Sequence, residues 1–184
     1  MRDSGVEPEL TELCRHEHAR LVGLLALYVG DRAIAEDLAQ EALVRLHQHW
    51  PRVRSLASPH AWVSTVALNL ARSWWRRRYA EQRANRRVGT DHDEQPRAEP
   101  EDVLAIRAAV AALPPRQRSA LVLRYYAGLS VEETATALGC ALGTVKSLTH
   151  SAINSLRLAL SDADEIDDVD DLDDMIELEE IPRA

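Results

Sequence analysis

From Thr11 to Val29 the apolar residues Leu13, Leu21, Leu24, Leu25 and Tyr28 return at helical spacing, and Gly30 marks the end of the run. Residues before about Glu9 are expected to be loose. Asp31 then offers an N-cap for a second helix reaching about Trp50, in which Ile34, Leu38, Ala42 and Leu46 recur every fourth residue and face inward. Pro51 is expected to break that helix and leave residues 51–58 as a loop, and Ser58-Pro59 opens a third helix with an N-cap and an N1 proline. Along this helix, to about Tyr79, Val63, Val66, Ala67, Leu70 and Trp74 mark the buried stripe. Thr65, Asn69, Arg72 and Arg76 align on the other side. Residues 80–101 are rich in Arg, Asp, Glu, Gln and Pro with few apolar positions, a composition that cannot build a core and reads as a flexible linker.

Helical periodicity resumes at Asp102, with Val103, Ile106 and Val110 facing inward as far as Ala112, and Pro115 starts the helix that carries RQRSALVLRYYAG. Ser130 followed by Glu133 has the spacing of a capping box, in which hydroxyl and carboxylate satisfy orphan amides reciprocally. The short helix it opens ends near Leu138, where Gly139 supplies a left-handed residue. A longer helix over 142–158 puts Leu142, Val145, Ala152, Ile153 and Leu156 on one face, and Gly143, Lys146, Ser147, His150 and Asn154 on the other. Short helix, glycine turn and longer helix make a helix-turn-helix, whose second helix normally enters the DNA major groove. Such turns also occur in proteins that never touch DNA, so the pattern alone leaves both readings open. The predicted fold is all-α: small helical domains over 10–79 and 102–160, joined by the linker over 80–101 and followed by a tail over 161–184.

Charge changes the picture once it is divided. The net charge of −8 over 184 residues looks wrong for a nucleic-acid-binding protein. From Ser161 onward, however, twelve acidic side chains stand against Arg183 alone, and the rest of the chain carries 21 basic and 18 acidic side chains. The body is therefore mildly basic, almost entirely through arginine, since Lys146 is the only lysine. Within the tail, Ile166, Val169, Leu172, Met175 and Ile176 recur every third or fourth residue among the aspartates. One reading is a disordered, solubilising extension. The other is an acidic helix with an apolar stripe, suited to docking on the basic surfaces of the chain's own domains.

SWWRRR closes the third helix with two indoles beside three guanidiniums, a combination suited to single-stranded DNA, where bases stack and phosphates are exposed. Trp74 is expected in the core; for Trp75, core and base-stacking readings stay open. Cys14 and Cys140 make neither a disulfide framework nor a paired zinc signature, and CRHEH at helical spacing would splay Cys14, His16 and His18 around the axis. No metal, no cofactor and no catalytic constellation is expected, because the chain has no glycine-rich phosphate loop and no nucleophile with an identifiable base. Without a signal-like or membrane-length apolar run, no membrane insertion and a cytoplasmic location are expected.

The segments ALPPRQRSALVLRYYAGLS, ETATALGC and GTVKS resemble the C-terminal DNA-binding domain of extracytoplasmic-function (ECF) sigma factors, the promoter-specificity subunits of bacterial RNA polymerase. AEDLAQEALVRLHQHW resembles the segment of that family that docks on the coiled coil of the polymerase's largest subunit, and AWVSTVALNLARSWWRRR resembles its −10-reading helix, particularly in the SigE-like subgroup. The resemblance covers about residues 10–160. It implies that Asp37, Gln40 and Glu41 contact core RNA polymerase, where an acidic patch suits a basic partner. It assigns Arg52, Arg54, Thr65, Asn69, Arg72, Trp75, Arg76, Arg77 and Arg78 to the opened −10 element, and Gly143, Thr144, Lys146, Ser147 and His150 to the −35 duplex. It also implies promoter DNA and an anti-sigma factor as partners, and a linker that threads toward the RNA exit channel. Ala141 departs from the family, standing where a capping Ser or Thr is usual, at a cost of about 1 kcal/mol. Leu148, His150 and Ser151 stand where polar or basic residues are frequent, so this domain is expected to bind DNA weakly by itself. The alternative function, a stand-alone helix-turn-helix regulator binding duplex DNA without polymerase, leaves AEDLAQEALVRL and SWWRRR without a role.

Overall fold

Three helices build the first half of the molecule: α1 (Pro8–Val29), α2 (Arg32–Val53) and α3 (Pro59–Asn85). The computed structural model describes residues 8–85 and 101–161, so the span 86–100 and the acidic tail beyond 161 lie outside the described residues. The helices start where the sequence supplies caps. Asp31 Oδ1 accepts from the Ile34 amide at 3.0 Å, and Ser58 Oγ accepts from the Ala61 amide at 3.1 Å. α1 packs on both α2 and α3, burying Leu21, Leu25, Leu46, Val53, Val63 and Leu68 between them.

Pro51 does not end α2. The helix runs on to Val53, and the Arg54 amide still donates to the Trp50 carbonyl at 2.9 Å. A proline this near a C-terminus disturbs only the bond one turn back, and burial of Trp50 and Val53 on either side holds the last turn in place. α3 likewise continues past Tyr79 to Asn85, where the linker was expected. Ala80, Glu81 and Arg83 are good helix formers, and a helix can extend into solvent without burying anything.

The second half consists of α4 (Glu101–Ala112), α5 (Pro115–Leu121), a π-helical turn (Val122–Tyr126), α6 (Val131–Leu138) and α7 (Leu142–Ser161). The capping box is complete: Ser130 Oγ accepts from the Glu133 amide at 3.1 Å, and Glu133 Oε2 accepts from the Ser130 amide at 2.9 Å. Gly139 ends α6 with φ +61°. Val145, Ala152 and Ile153 bury the inner face of α7, and Leu123 and Leu129 complete the core. Two expected core residues stand outside it. Leu142, in the first turn of α7, is 47 % exposed, and Ile106 on α4 is 45 % exposed, whereas Val110 on the same helix is buried. The side chain of Val103 lies outside the described residues. Among the described residues, no helix is long and apolar enough to cross a membrane.

The two halves meet through the ends of their helices. α1 finishes at Gly30, φ +82°, whose amide donates to the Ala26 carbonyl at 2.9 Å; the carbonyls after Ala26 lie past the last helical donors and look outward for partners. The Tyr28 carbonyl accepts from Arg118 Nη1 and from the Trp75 indole, both at 3.2 Å. In return, the Ala127 carbonyl, which follows the π turn where Gly128 adopts φ +70°, accepts from Arg20 Nη2 at 3.1 Å and lies 2.7 Å from His60 Nε2. Each half thus sends basic side chains to the negative helix end of the other. Gly23 lets the contact close: a Cβ there would sit 1.6 Å from the Tyr126 hydroxyl. Arg118 is the centre of the junction. Buried, it also donates to the carbonyls of Ala111 and, at 3.1 Å, Leu113, and its guanidinium lies 5.3 Å from the Tyr28 ring and 5.6 Å from that of Trp75.

Candidate polymerase and nucleic-acid interface

On α2, burial of Ala35, Leu38, Ala42 and Leu46 turns Asp37, Gln40 and Glu41 outward, and all three are exposed within one turn of helix. The patch is partly neutralised on its own helix, since Arg45 Nε donates to Glu41 at 2.9 Å and Arg32 Nε to Glu36 at 3.0 Å. Exposed pairs at this spacing are worth about 0.3–0.5 kcal/mol, so a basic partner can displace them at little cost.

The outer face of α3 carries Asn69, Arg72, Arg76 and Arg77, all exposed. Thr65 lies on the same face but half-buried, with its hydroxyl donating to the Ala61 carbonyl at 2.7 Å. The SWWRRR segment does not act as one surface. Arg76 leans on Ser73 Oγ at 2.9 Å and Arg77 points to solvent, whereas Arg78 folds back over the Trp74 ring at 5.3 Å. Trp75 meets Trp74 edge-on at 5.0 Å and stacks on Tyr79 at 5.2 Å, with its indole N–H turned inward to the Tyr28 carbonyl at the end of α1. Arg52, in the last turn of α2, and Arg54, at its C-cap, are both exposed beside the turn leading into α3.

The helix-turn-helix presents Gly143, Lys146, Ser147 and His150 on the outer face of α7, with Thr144 half-buried at its edge. His150 Nε2 is paired with the Asn154 amide at 3.0 Å. Buried Thr149 spends its hydroxyl on the Val145 and Lys146 carbonyls, each at 2.9 Å. Ala141 precedes α7 with no side-chain acceptor to cap it, and a helix start of this kind is suited to receive a phosphate oxygen. At the opposite end of the turn, the Glu132 carboxyl is held below the ordinary value by amide and Ser130 hydrogen bonds, so the α6 start keeps its negative charge.

The residues that join the halves (Glu17, Arg20, His60 and Arg118) carry no motif. The signal for Glu17 is its position: it shares the stripe of Leu10, Leu21, Leu24 and Tyr28, where a carboxylate is out of place unless something meets it. Arg118 and His60 have no comparable signal, because their partners are backbone carbonyls distant in sequence. The tail's apolar stripe, proposed to dock on the chain's own domains, lies outside the described residues.

Two family matches divide the chain. Residues 13–81 match sigma-70 region 2, and residues 104–156 match sigma-70 region 4. A protein of Streptomyces antibioticus named RNA polymerase sigma-E factor is 33 % identical over 156 residues, covering 85 % of this chain and 87 % of its own. The ECF RNA polymerase sigma factor SigL of Mycobacterium tuberculosis is 38 % identical over 169 residues, covering 86 % and 93 %. Among solved structures, the sigma factor RpoE of Bartonella quintana, solved with the anti-sigma factor NepR, has the same fold with a TM-score of 0.73 at 24 % identity, covering 83 % of this chain and 97 % of that one.

Proposed function

This chain belongs to the ECF branch of the sigma-70 family, and from that membership we propose how its exposed residues divide the work of promoter recognition. The protein is a sigma factor that binds core RNA polymerase and directs promoter-specific initiation. It acts by binding rather than by catalysis of its own, in the cytoplasm where polymerase works, with an anti-sigma factor as a further partner. Asp37, Gln40 and Glu41 meet a basic surface of the core enzyme. Asn69 hydrogen-bonds an unpaired base of the −10 strand, while Arg72, Arg76 and Arg77, with Arg52 and Arg54 beside them, neutralise its phosphates. α7 enters the −35 major groove, where Gly143 and Thr144 allow close backbone approach and Lys146, Ser147 and His150 reach phosphate or base edges. Thr65, Trp75 and Arg78 contribute from the margin of the −10 face.

The observation that supports this division is exposure. Most of the polar side chains of α2, α3 and α7 that the family resemblance singles out stand in solvent, with Thr65, Arg78 and Thr144 half-buried at the edges, while the apolar faces of the same helices are buried. A stand-alone duplex-binding regulator gives residues 13–81 no task. The test is transcription by purified core polymerase on a library of source-genome fragments, with and without the protein. Start sites that appear only with the protein and share paired upstream elements are expected. An unchanged set of starts overturns the assignment.

A further inference from the structure

His60 stands at the junction with both ring nitrogens facing acceptors. Nδ1 lies 2.8 Å from Glu17 Oε2 within the first half, and Nε2 lies 2.7 Å from the Ala127 carbonyl of the second. The Glu17 side chain is 2 % exposed and that of His60 27 % exposed, so water does little to relieve a mismatch. A neutral imidazole has one N–H, and either tautomer would aim a lone pair at an oxygen. Only the doubly protonated ring donates to both. We infer that His60 is a proton-dependent latch, holding the two halves closed while it carries its second proton and letting them part when it loses it.

The closed arrangement favours the charged ring for stated reasons. The Glu17 hydrogen bond raises the His60 pKa above 6.5, burial opposes this, and the Ala127 carbonyl adds to the rise. The charged groups acting on the ring are Glu17 and Arg20, both on α1; the second half presents the Ala127 carbonyl. When the halves part, the Glu17 contact can persist, but Nε2 meets water, which accepts or donates equally well. A neutral ring donating from Nδ1 to Glu17 is then satisfied. The pKa is therefore higher closed than open. The latch is fully present below the open-state pKa and is lost as pH rises through the closed-state pKa.

Opening is required by the geometry of a promoter, a step that rests on the sigma-factor reading. Elements named −35 and −10 lie about 25 base pairs apart, roughly 85 Å at 3.4 Å per pair. A compact body of this size is only about 40 Å across. With Arg118 and His60 engaged across the junction, α3 and α7 cannot reach both elements. Acidification thus holds the free protein in a form unable to span a promoter.

The closed fraction can be read on the free full-length chain, independently of promoter activity, by the distance between spin labels at exposed sites of the two halves. Ala33→Cys and Ser155→Cys, in a Cys14→Ser, Cys140→Ser background, provide the pair. The closed-to-open ratio should fall on going from about pH 6 to about pH 9, by at most about tenfold per pH unit, the limit for one proton. Glu17→Gln supplies an amide that can donate to Nδ1, so a neutral ring can then bridge to Ala127; this variant should stay closed across the range. His60→Gln should be more open at low pH and lose the wild-type pH response, with helix content checked by circular dichroism. A wild-type distance distribution that ignores pH overturns the proposal, as does a His60→Gln response equal to that of the wild type.

Discussion

Replacing Arg118 with methionine keeps much of the apolar stem and removes the cation from the junction. Its guanidinium donates to the Tyr28, Ala111 and Leu113 carbonyls and lies against two aromatic rings. Tyr28 keeps a donor from Trp75, so the orphans left behind are Ala111 and Leu113, and a buried unpaired carbonyl costs about 1–3 kcal/mol. Lost cation–aromatic contacts add about 1 kcal/mol. Against this, methionine needs no desolvation, whereas burial already lowers the proton affinity of Arg118 and its Nε finds no acceptor. The balance is a loss of about 3 kcal/mol, a large share of the roughly 5–15 kcal/mol that holds a domain together. With a urea m-value of about 2 kcal/mol/M, the unfolding midpoint should drop by about 1.5 M. Arg118→Lys should recover only part of this, since an ammonium is a point charge without the planar fork that reaches three carbonyls. Circular dichroism during urea titration measures both. A methionine variant within about 0.5 kcal/mol of the wild type, the range of an ordinary surface substitution, would refute the staple role.

Charge reversal of Asp37 and Glu41, exposed and off the apolar stripe, should weaken co-purification with core polymerase and leave helix content unchanged; undiminished co-purification removes them from the interface. Lys146→Ala should lower −35-dependent transcription and make the salt dependence of binding shallower by about one phosphate contact, measured by filter binding over a salt series. Asn69→Ala should instead reduce −10 opening, read by permanganate footprinting of melted thymines; normal footprints exclude it. Ser130→Ala breaks one arm of the capping box and should cost about 1 kcal/mol in thermal or urea unfolding, with no change in polymerase binding.

Helix identity was legible because it rests on local chemistry. Asp31, Ser58, Ser130 with Glu133, and Gly30 and Gly139 announce caps and ends that the chain forms with its immediate neighbours. The outward faces of α2, α3 and α7 were legible for the same reason, since periodicity sorts solvent from core one helix at a time. Pro51 misled because the packing of Trp50 and Val53 outweighs a local disruption, and Tyr79 misled because a helix of good formers extends into solvent without a core to signal it. Leu142 and Ile106 satisfy the period but fall at a helix start and along a partly covered helix, and their depth is set by neighbours from other segments. The junction was beyond reach of the sequence alone. Trp75 and Arg78 read as one cationic, aromatic patch until the fold turned one toward Tyr28 and the other over Trp74. Arg118, Arg20 and His60 act on carbonyls that any residue could supply, so their partners are chosen by where two helix ends arrive. Backbone acceptors leave no trace in composition, and the meeting of those ends is decided by tertiary packing.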